Sequence, residues 1–413
     1  MLRETVEAWQ KAASTRNALD SDKILPDKCT LANLAHDLPE CKSLPQCHVL
    51  EVLLRCLKKI KCTNRGSQDK GSIQQLASHT IELLGQPFST LHSMDSPAVA
   101  EKALDVLKCL AIDFAAPLDE KDLVCVAAYT DSQDAWTTPS AASSSEDILS
   151  NSLNNDTRHA FIASAVLEHF IRPVFSRTAS NRITSTGRKA HFINDDKSQV
   201  TRDSVTGTTE SRPWKSTQVH AITVFAWAVK HASESLISQS WPLFTPVLLA
   251  LIDDTETKFK KKGLVALQDF LSRCPPHLIG NTGLGEVFEQ SVFPSLLSLP
   301  GVTPEDESLQ LLGPAYNAIT ELAKTWFPNG ESTPAKMKLL IKVLREGVLA
   351  GYWHASEYVG VVELLAQKSI PIISQLGPYA VPHLKASPGL TRAALHALTL
   401  HTGTSVHVLR HHD

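Results

Sequence analysis

Apolar side chains recur along most of this chain at the three- and four-residue spacing of a helix face. An amphipathic helix is predicted over residues 2–17. In residues 49–60, Leu50, Leu53, Leu54 and Leu57 share one side. Segment 72–84 behaves alike, as does 98–114 through Leu104, Val106, Leu107, Leu110 and Ile112. Residues 159–174 return to the rule with Phe161, Ile162, Val166, Phe170 and Ile171. Alternating β-branched runs of the strand type are scarce.

The pattern is densest from 219 to 322. Segment 219–231 holds Ile222, Val224, Phe225, Trp227 and Val229. Segment 243–252 holds Leu243, Phe244, Val247, Leu248, Leu249, Leu251 and Ile252. Neither leaves much polar face, and a helix apolar all round is enclosed on several sides. Both are therefore expected at the centre. Thr245-Pro246 reads as a helix start or as a kink, because Pro suits a first turn and breaks an interior. Asp253, Asp254 or Thr255 is predicted to cap the next helix, a role worth about 1 kcal/mol. That helix sets Phe259, Gly263, Ala266, Leu267 and Phe270 on one face, while Lys258 and Lys260 to Lys262 carry its charge. Helix, acidic turn, helix with early basic residues is the rhythm of a HEAT repeat, of period roughly 40–47 residues. The predicted fold class is all-α, an irregular HEAT-like α-solenoid of antiparallel helix pairs. More helices are predicted over 309–326, from Thr333-Pro334 through Val343 and Leu344, over 358–376 and over 380–400. Thr303-Pro304-Glu305-Asp306 reads as a capped helix start with its acids at the positive end of the dipole.

Two stretches break the pattern and set the expected domains: N-terminal helical repeats at 1–130, a flexible linker at 131–157, and a C-terminal solenoid at 158–413 with a long basic loop at 176–218. The linker is rich in Ser, Asn, Asp and Thr, with too little apolar surface to offset ordering entropy. Ser143-Ser144-Ser145 before Glu146-Asp147 also reads as a phosphorylation site; a plain surface loop is the commoner case. The basic loop carries Arg177, Arg182, Arg188, Lys189, Lys197, Arg202, Arg212 and Lys215. Trp214, between basic residues, either anchors that loop on the solenoid or is buried by a partner.

Composition narrows the function. Formal net charge is −3 and hydrophobic content 43%, so there is no global electrostatic case for nucleic acid or an anionic membrane. No apolar run is expected to span a bilayer, which takes about 18–20 residues; the longest, around 221–229, is far too short. The eight cysteines include no C-x-x-C pair. Cys41, Cys47, His48, Cys56 and Cys62 lack the tight chelating pairs of a zinc module. With no signal peptide at Met1, reduced thiols in a cytoplasmic and nuclear protein are expected. His159 and His169 have nothing nearby to complete a site. Gly280, Gly283 and Gly285 are turn glycines, since no strand precedes them and no Gly-Lys-Ser/Thr follows. Glu305, Asp306 and Glu307 splay around a helix and face no common substrate. In the tail, His396 and His401 miss the i, i+4 geometry of a chelating helix, with His407, His411 and His412 beyond them. No metal, cofactor or catalytic group is predicted, and the chain is read as a non-enzyme.

Particular blocks carry a resemblance. Asp253-Asp254, Lys258-Phe259-Lys260 and Gly263 are among them, with the run from Thr282-Gly283 to Phe288-Glu289. So are Leu299-Pro300 through Thr303-Pro304-Glu305-Asp306-Glu307-Ser308, and Ala315-Tyr316. Upstream stand Ile171-Arg172-Pro173, Gly187-Arg188-Lys189-Ala190 and Pro213-Trp214-Lys215. Over about 172–322 the chain resembles the Tti-two, or TELO-two-interacting, family. The resemblance implies a subunit of the Triple-T co-chaperone complex with Tel-two and Tti-one proteins. It further implies work with the Hsp-ninety machinery on phosphatidylinositol-kinase-related kinases of the TOR, ATM and ATR types. Through these it implies roles in the DNA damage response, telomere maintenance and TOR signalling. The surface expected to bind partners is Arg188, Lys189, Pro213, Trp214 and Lys215 with Gly283, Leu284, Phe288, Glu289, Glu305, Glu307 and Ser308; structural duty for the same residues is the alternative. A HEAT-repeat adaptor for nucleic acid or nuclear transport is the rival reading, supported by the basic loop.

Overall fold

The computed structural model describes residues 1–14, 25–26, 29–63, 69–85, 96–176, 182–184, 187–190, 212–328, 333–384 and 389. Among them the only β-pairing is two isolated bridges, Ile183 with Lys189 and Pro300 with Thr303. The fold is all-α and HEAT-like. Two compact units are present: Met1–Val174 with Asp203–Ala228, and Phe175–Arg202 with Val229–Asp413.

The first unit contains α1 (Leu2–Ser14), α2 (Leu31–Asp37), α3 (Gln46–Thr63), α4 (Lys70–Gly85), α5 (Ser96–Lys108), α6 (Glu120–Ala127), α7 (Pro139–Ser152) and α8 (Asn155–Ala160). A π-helical turn, Cys109–Asp113, extends α5. A π-helical run, Phe161–Ile171, carries α8 into the short α9 (Arg172–Phe175). Most of α10 (His220–His231) completes the unit. Packing skips one element at a time. Helix α1 rests on α3, α3 on α5 and α5 on α7, while α2 rests on α4 and α4 on α6. Two helical layers result, the stacking that lets each pair bury its neighbour's apolar face. The predicted face of α3 is that core: Leu50, Leu53 and Leu57 are fully buried.

The expected linker at 131–157 instead contains a helix, α7, over Pro139–Ser152. Thr138 accepts from Ala141 N at 3.1 Å and caps α7, with Pro139 in its first turn. Ala141, Ala142, Ser144, Ser145, Ile148 and Leu149 are buried, on the side of α7 that meets α5 and α6. Small side chains let the helices approach, and Ser144 Oγ donates to Asp105 Oδ1 at 3.0 Å. Lys108 pairs with Asp147 at 2.5 Å. The Ser144 hydroxyl is satisfied within the fold by the Asp105 carboxylate, which composition alone does not reveal. Burial of Ser144 and Ser145 also removes them as accessible phosphorylation sites. The domain boundaries move accordingly, since residues 158–174 and 203–228 belong with the first unit.

The second unit contains α11 (Glu234–Ile252), α12 (Thr257–Arg273), α13 (Pro276–Thr282), α14 (Leu284–Val292), α15 (Glu305–Trp326), α16 (Pro334–Lys342), α17 (Ala350–His354), α18 (Val359–Leu376) and α19 (Val381–Leu384). A π-helical run, Val343–Leu349, joins α16 to α17. Helices α12, α15 and α18 pack in series, and α11 pairs with α12. Phe244, Phe270 and Phe288 form an aromatic column, with centroids 5.8 and 6.2 Å apart.

Three local expectations change. Helix α11 begins at a Ser233 cap, whose Oγ accepts from Leu236 N at 3.2 Å, so Pro242 and Pro246 both lie inside it. Helix α11 is also long and apolar enough to cross a membrane, contrary to the reading of 221–229 as the longest apolar run. Phe244, Val247, Leu248, Leu249, Leu251 and Ile252 are nevertheless buried in the unit, which is what a central soluble helix requires. The third change is at α15, where Pro304 and not Thr303 occupies the N-cap and no side chain caps. Thr333 does cap α16, accepting from Lys336 N at 3.3 Å. Before α12, Asp254 Oδ1 accepts from Glu256 N at 2.9 Å, stabilising the acidic turn without being the cap itself. The latter part of the predicted 380–400 helix and the tail histidines lie outside the described residues.

Candidate functional site

The described part of the basic loop in the second unit is a tight turn. Thr184 N donates to Arg188 O at 2.8 Å, and Ala190 N to Arg182 O at 2.9 Å. The turn is fastened to the corner between α13 and α14. Lys189 N donates to Thr282 O at 3.2 Å, and its ammonium pairs with Glu286. Gly283 takes φ 74° there, the left-handed region that favours glycine. A methyl on Gly283 would meet Lys189 Cβ at 2.9 Å. Arg182 bonds Ser291 Oγ and approaches Asp253 Oδ1 at 3.5 Å. Burial raises the Asp253 pKa, while Arg182, Ser291 and Lys260 pull it back down. Of the basic residues expected to face a partner, Lys189 is engaged with one of the unit's own acids, Glu286. Arg188 is exposed. Arg177, Lys197 and Arg202 lie outside the described residues.

Several other candidates also have internal duties. Leu284, Phe288 and Ser308 are fully buried. Ser308 Oγ donates to Thr303 O at 3.4 Å, bracing the start of α15. Glu289 pairs with Lys342 at 2.8 Å, and Glu307 accepts from Thr257 Oγ1. Glu305 is exposed. In the first unit, Pro213, Trp214 and Lys215 form a 3₁₀ turn. Trp214 is 0% exposed, and the Lys215 ammonium stands 5.4 Å from its ring centroid. Of the two readings of Trp214, anchoring of the loop is the one the structure takes. Buried Trp214, Leu284, Phe288 and Ser308 cannot be contact residues without unfolding, so the expected partner surface shrinks to its exposed members. A period count assigned faces within each helix but gave no means of seeing which turns the neighbouring helices would cover.

The first unit also holds a concavity that the sequence pattern does not reveal. A cleft of about 650 Å³ lies between α6, the Phe161–Ile171 run and the segment leading into α10. Val124, Cys125, Ala165 and Phe170 line it with His169 and His220; Glu120 and Lys121 also line it. The His220 ring leans on Phe170 with centroids 5.7 Å apart. Burial lowers its pKa to about 4 and pushes the Cys125 thiol up to about 12. Both groups are neutral near pH 7. Among the described residues no His, Cys, Asp and Glu group is arranged to hold a metal ion.

His220 gives the first unit an expected pH response. Its folded pKa lies below its ordinary value of 6.5, so the unfolded chain binds more protons between the two. Its contribution to stability is whole above pH 6.5 and is lost as pH falls toward 4, by at most about 3 kcal/mol. Urea titrations at pH 7 and 4.5 are expected to show a smaller acid loss in His220→Gln than in the wild type.

Stacked helix pairs, with charged side chains outside and signature residues packed inside, define a protein of the HEAT-like α-solenoid class. A scan of protein families matches the Tti2 family over residues 123–392. That is well over half of the chain, and the chain belongs to the Tti2 family. Membership supports a subunit role in the Triple-T complex in general terms. No curated protein matches the chain. Among solved structures, the crystal structure of Kap121p bound to Ste12p is similar at 13% identity and a TM-score of 0.35, covering 86% of this chain and 32% of that one. The chain thus spans about a third of the length of that relative, and a likeness at this level carries no argument.

Proposed function

We propose that the chain is a non-catalytic scaffold and co-chaperone subunit of the Triple-T complex. It holds Tel-two-type and Tti-one-type subunits and works with the Hsp-ninety machinery. The assembly supports the maturation and stability of TOR-, ATM- and ATR-type kinases in cytoplasm and nucleus. The family match over residues 123–392 carries this reading. The fold is compatible with it: stacked pairs bury a continuous core and leave long outer faces for partners. Stable assemblies of this kind bury about 2,000 Å² or more.

The test is depletion and rescue. Removing the chain from cells is expected to lower the steady-state levels of all three kinase types several-fold while their messenger levels hold. Affinity purification of the tagged chain is expected to return the two other subunits in stoichiometric amounts. Unchanged kinase levels together with the absence of both subunits would remove the proposal. The nucleic-acid reading finds less support, because Arg182 and Lys189 face Asp253 and Glu286. Phosphate contacts would make binding fall steeply with salt. A titration with duplex DNA at two salt concentrations is expected to show no such binding.

A further inference from the structure

The residues leading into α2 bring one cysteine against another. Leu25 is buried, and the Lys59 ammonium, on α3, donates to Pro26 O at 3.0 Å. On the other side, Thr30 Oγ1 accepts from Asn33 N at 3.3 Å and caps α2. Cys29 lies between these two fastenings and is half-buried. Its thiol is hydrogen-bonded to that of Cys56. Cys56 is on α3, 1% exposed, one turn before Lys59 and on the same face. The two sulfurs are present as thiols, not as a disulfide.

The pair is asymmetric. The hydrogen bond from Cys56 lowers the Cys29 pKa and the Lys59 charge lowers it further, against burial and the charge of Asp37. The same contact, with burial, raises the Cys56 pKa. When the pair loses a proton, the charge therefore settles on the more accessible sulfur, beside a lysine. Thiolate is the reactive form of cysteine, and a nearby cation favours it. Thiols elsewhere in the chain go the other way: burial pushes those of Cys109, Cys125 and Cys274 up to about 12. An accessible thiolate with a second thiol in contact is the arrangement of a redox-sensing cysteine and its resolving partner.

We propose that Cys29 and Cys56 form a peroxide-sensitive pair that closes reversibly into a disulfide. The oxidant is hydrogen peroxide. The Cys29 thiolate attacks one peroxide oxygen and the O–O bond breaks, leaving a sulfenic acid on Cys29 and releasing hydroxide, which takes up the proton that Cys29 gave up. The Cys56 sulfur then attacks the Cys29 sulfur, and the S–O bond breaks. The Cys56 proton and the departing hydroxide leave as water. In sum, two thiols and one peroxide give one disulfide and two waters, with both sulfurs oxidised and both oxygens reduced. Two molecules of reduced glutathione reopen the bond by thiol–disulfide exchange and leave as glutathione disulfide. The closed bond ties the start of α2 to the middle of α3. This inference is independent of the scaffold reading.

The test is chemical trapping on the full chain. Reduced protein is exposed to hydrogen peroxide, remaining thiols are blocked with N-ethylmaleimide, and proteolytic peptides are read by mass spectrometry without reduction. A peptide joining Cys29 to Cys56 is expected to be the main cross-link, and reduced glutathione is expected to abolish it. Cys29→Ser is expected to lose the linked peptide. Its site is half-exposed, so the melting temperature of the reduced protein is expected to hold. Cys56→Ser is expected to stop the reaction at the Cys29 sulfenic acid, which dimedone labels. Should Cys56→Ser unfold the chain, Cys29→Ser with an unchanged melt still decides the matter. No Cys29–Cys56 peptide from the peroxide-treated wild type overturns the proposal. So does a Cys29 joined mainly to another cysteine or to a second copy of the chain. A linked peptide that survives in Cys29→Ser samples, or one that reduced glutathione leaves closed, overturns it as well.

Discussion

Trp227→Ala is expected to lower the stability of the first unit by about 3–5 kcal/mol, the range for emptying a large aromatic site in a packed core. Trp227 is 2% exposed. Its ring meets Phe161 edge-on, with centroids 6.0 Å apart and planes at 70°. Its indole N–H donates to Glu146 Oε2 at 3.3 Å. Removing the ring leaves a cavity beside the Phe161–Ile171 run and takes the indole donor from Glu146. Trp227→Phe keeps most of the apolar contact but loses the donor, so a smaller loss of about 1–3 kcal/mol is expected. Equilibrium urea unfolding followed by circular dichroism measures both. A loss below about 1 kcal/mol for the alanine variant would contradict the packing described, since that is the scale of surface changes.

Gly263→Val is expected to cost about 3 kcal/mol or more, because overpacking a rigid contact displaces backbone. Helix α12 lies directly against the end of α11 at this point. A Cβ on Gly263 would fall 2.6 Å from Leu251 Cβ and 2.9 Å from Ile252 N. Neither atom is the free end of a flexible chain, so the two helices must separate. Gly263→Ala is expected to show most of the same loss. Gly280 supplies the control: nothing lies within 4 Å of a Cβ there. In the interior of α13, Gly280→Ala is expected to be neutral or to stabilise by about 0.5–1 kcal/mol through helix propensity. Thermal melts of the three variants separate close approach from a general dislike of substitution at glycine.

The all-α reading and the dense centre were legible because α3 and α12 follow the 3.6-residue period and α10 and α11 are apolar on nearly every side. The same count found the buried faces of α3 and α12, including Gly263. It failed where burial does not depend on hydrophobicity. Ser144 and Ser145 are interior because α7 meets α5 through small side chains and a hydroxyl-to-carboxylate bond. Trp214 looked available because its neighbours are charged, yet its ring is fully covered. Leu284 and Phe288 carry the family signature with both a partner contact and a structural duty open to them, and both are fully buried.

The π-helical stretches have a bearing on how such a chain tolerates changes in length. One residue added to a regular α-helix turns everything after it by about 100°, so each downstream side chain would face a new neighbour. A wider turn takes up the extra residue locally and leaves the later contacts in phase. At Cys109–Asp113, Phe161–Ile171 and Val343–Leu349, the rods can gain or shed a residue while their seams stay matched. One-residue changes in length are therefore expected to cost less stability at these three places than inside a regular helix such as α3.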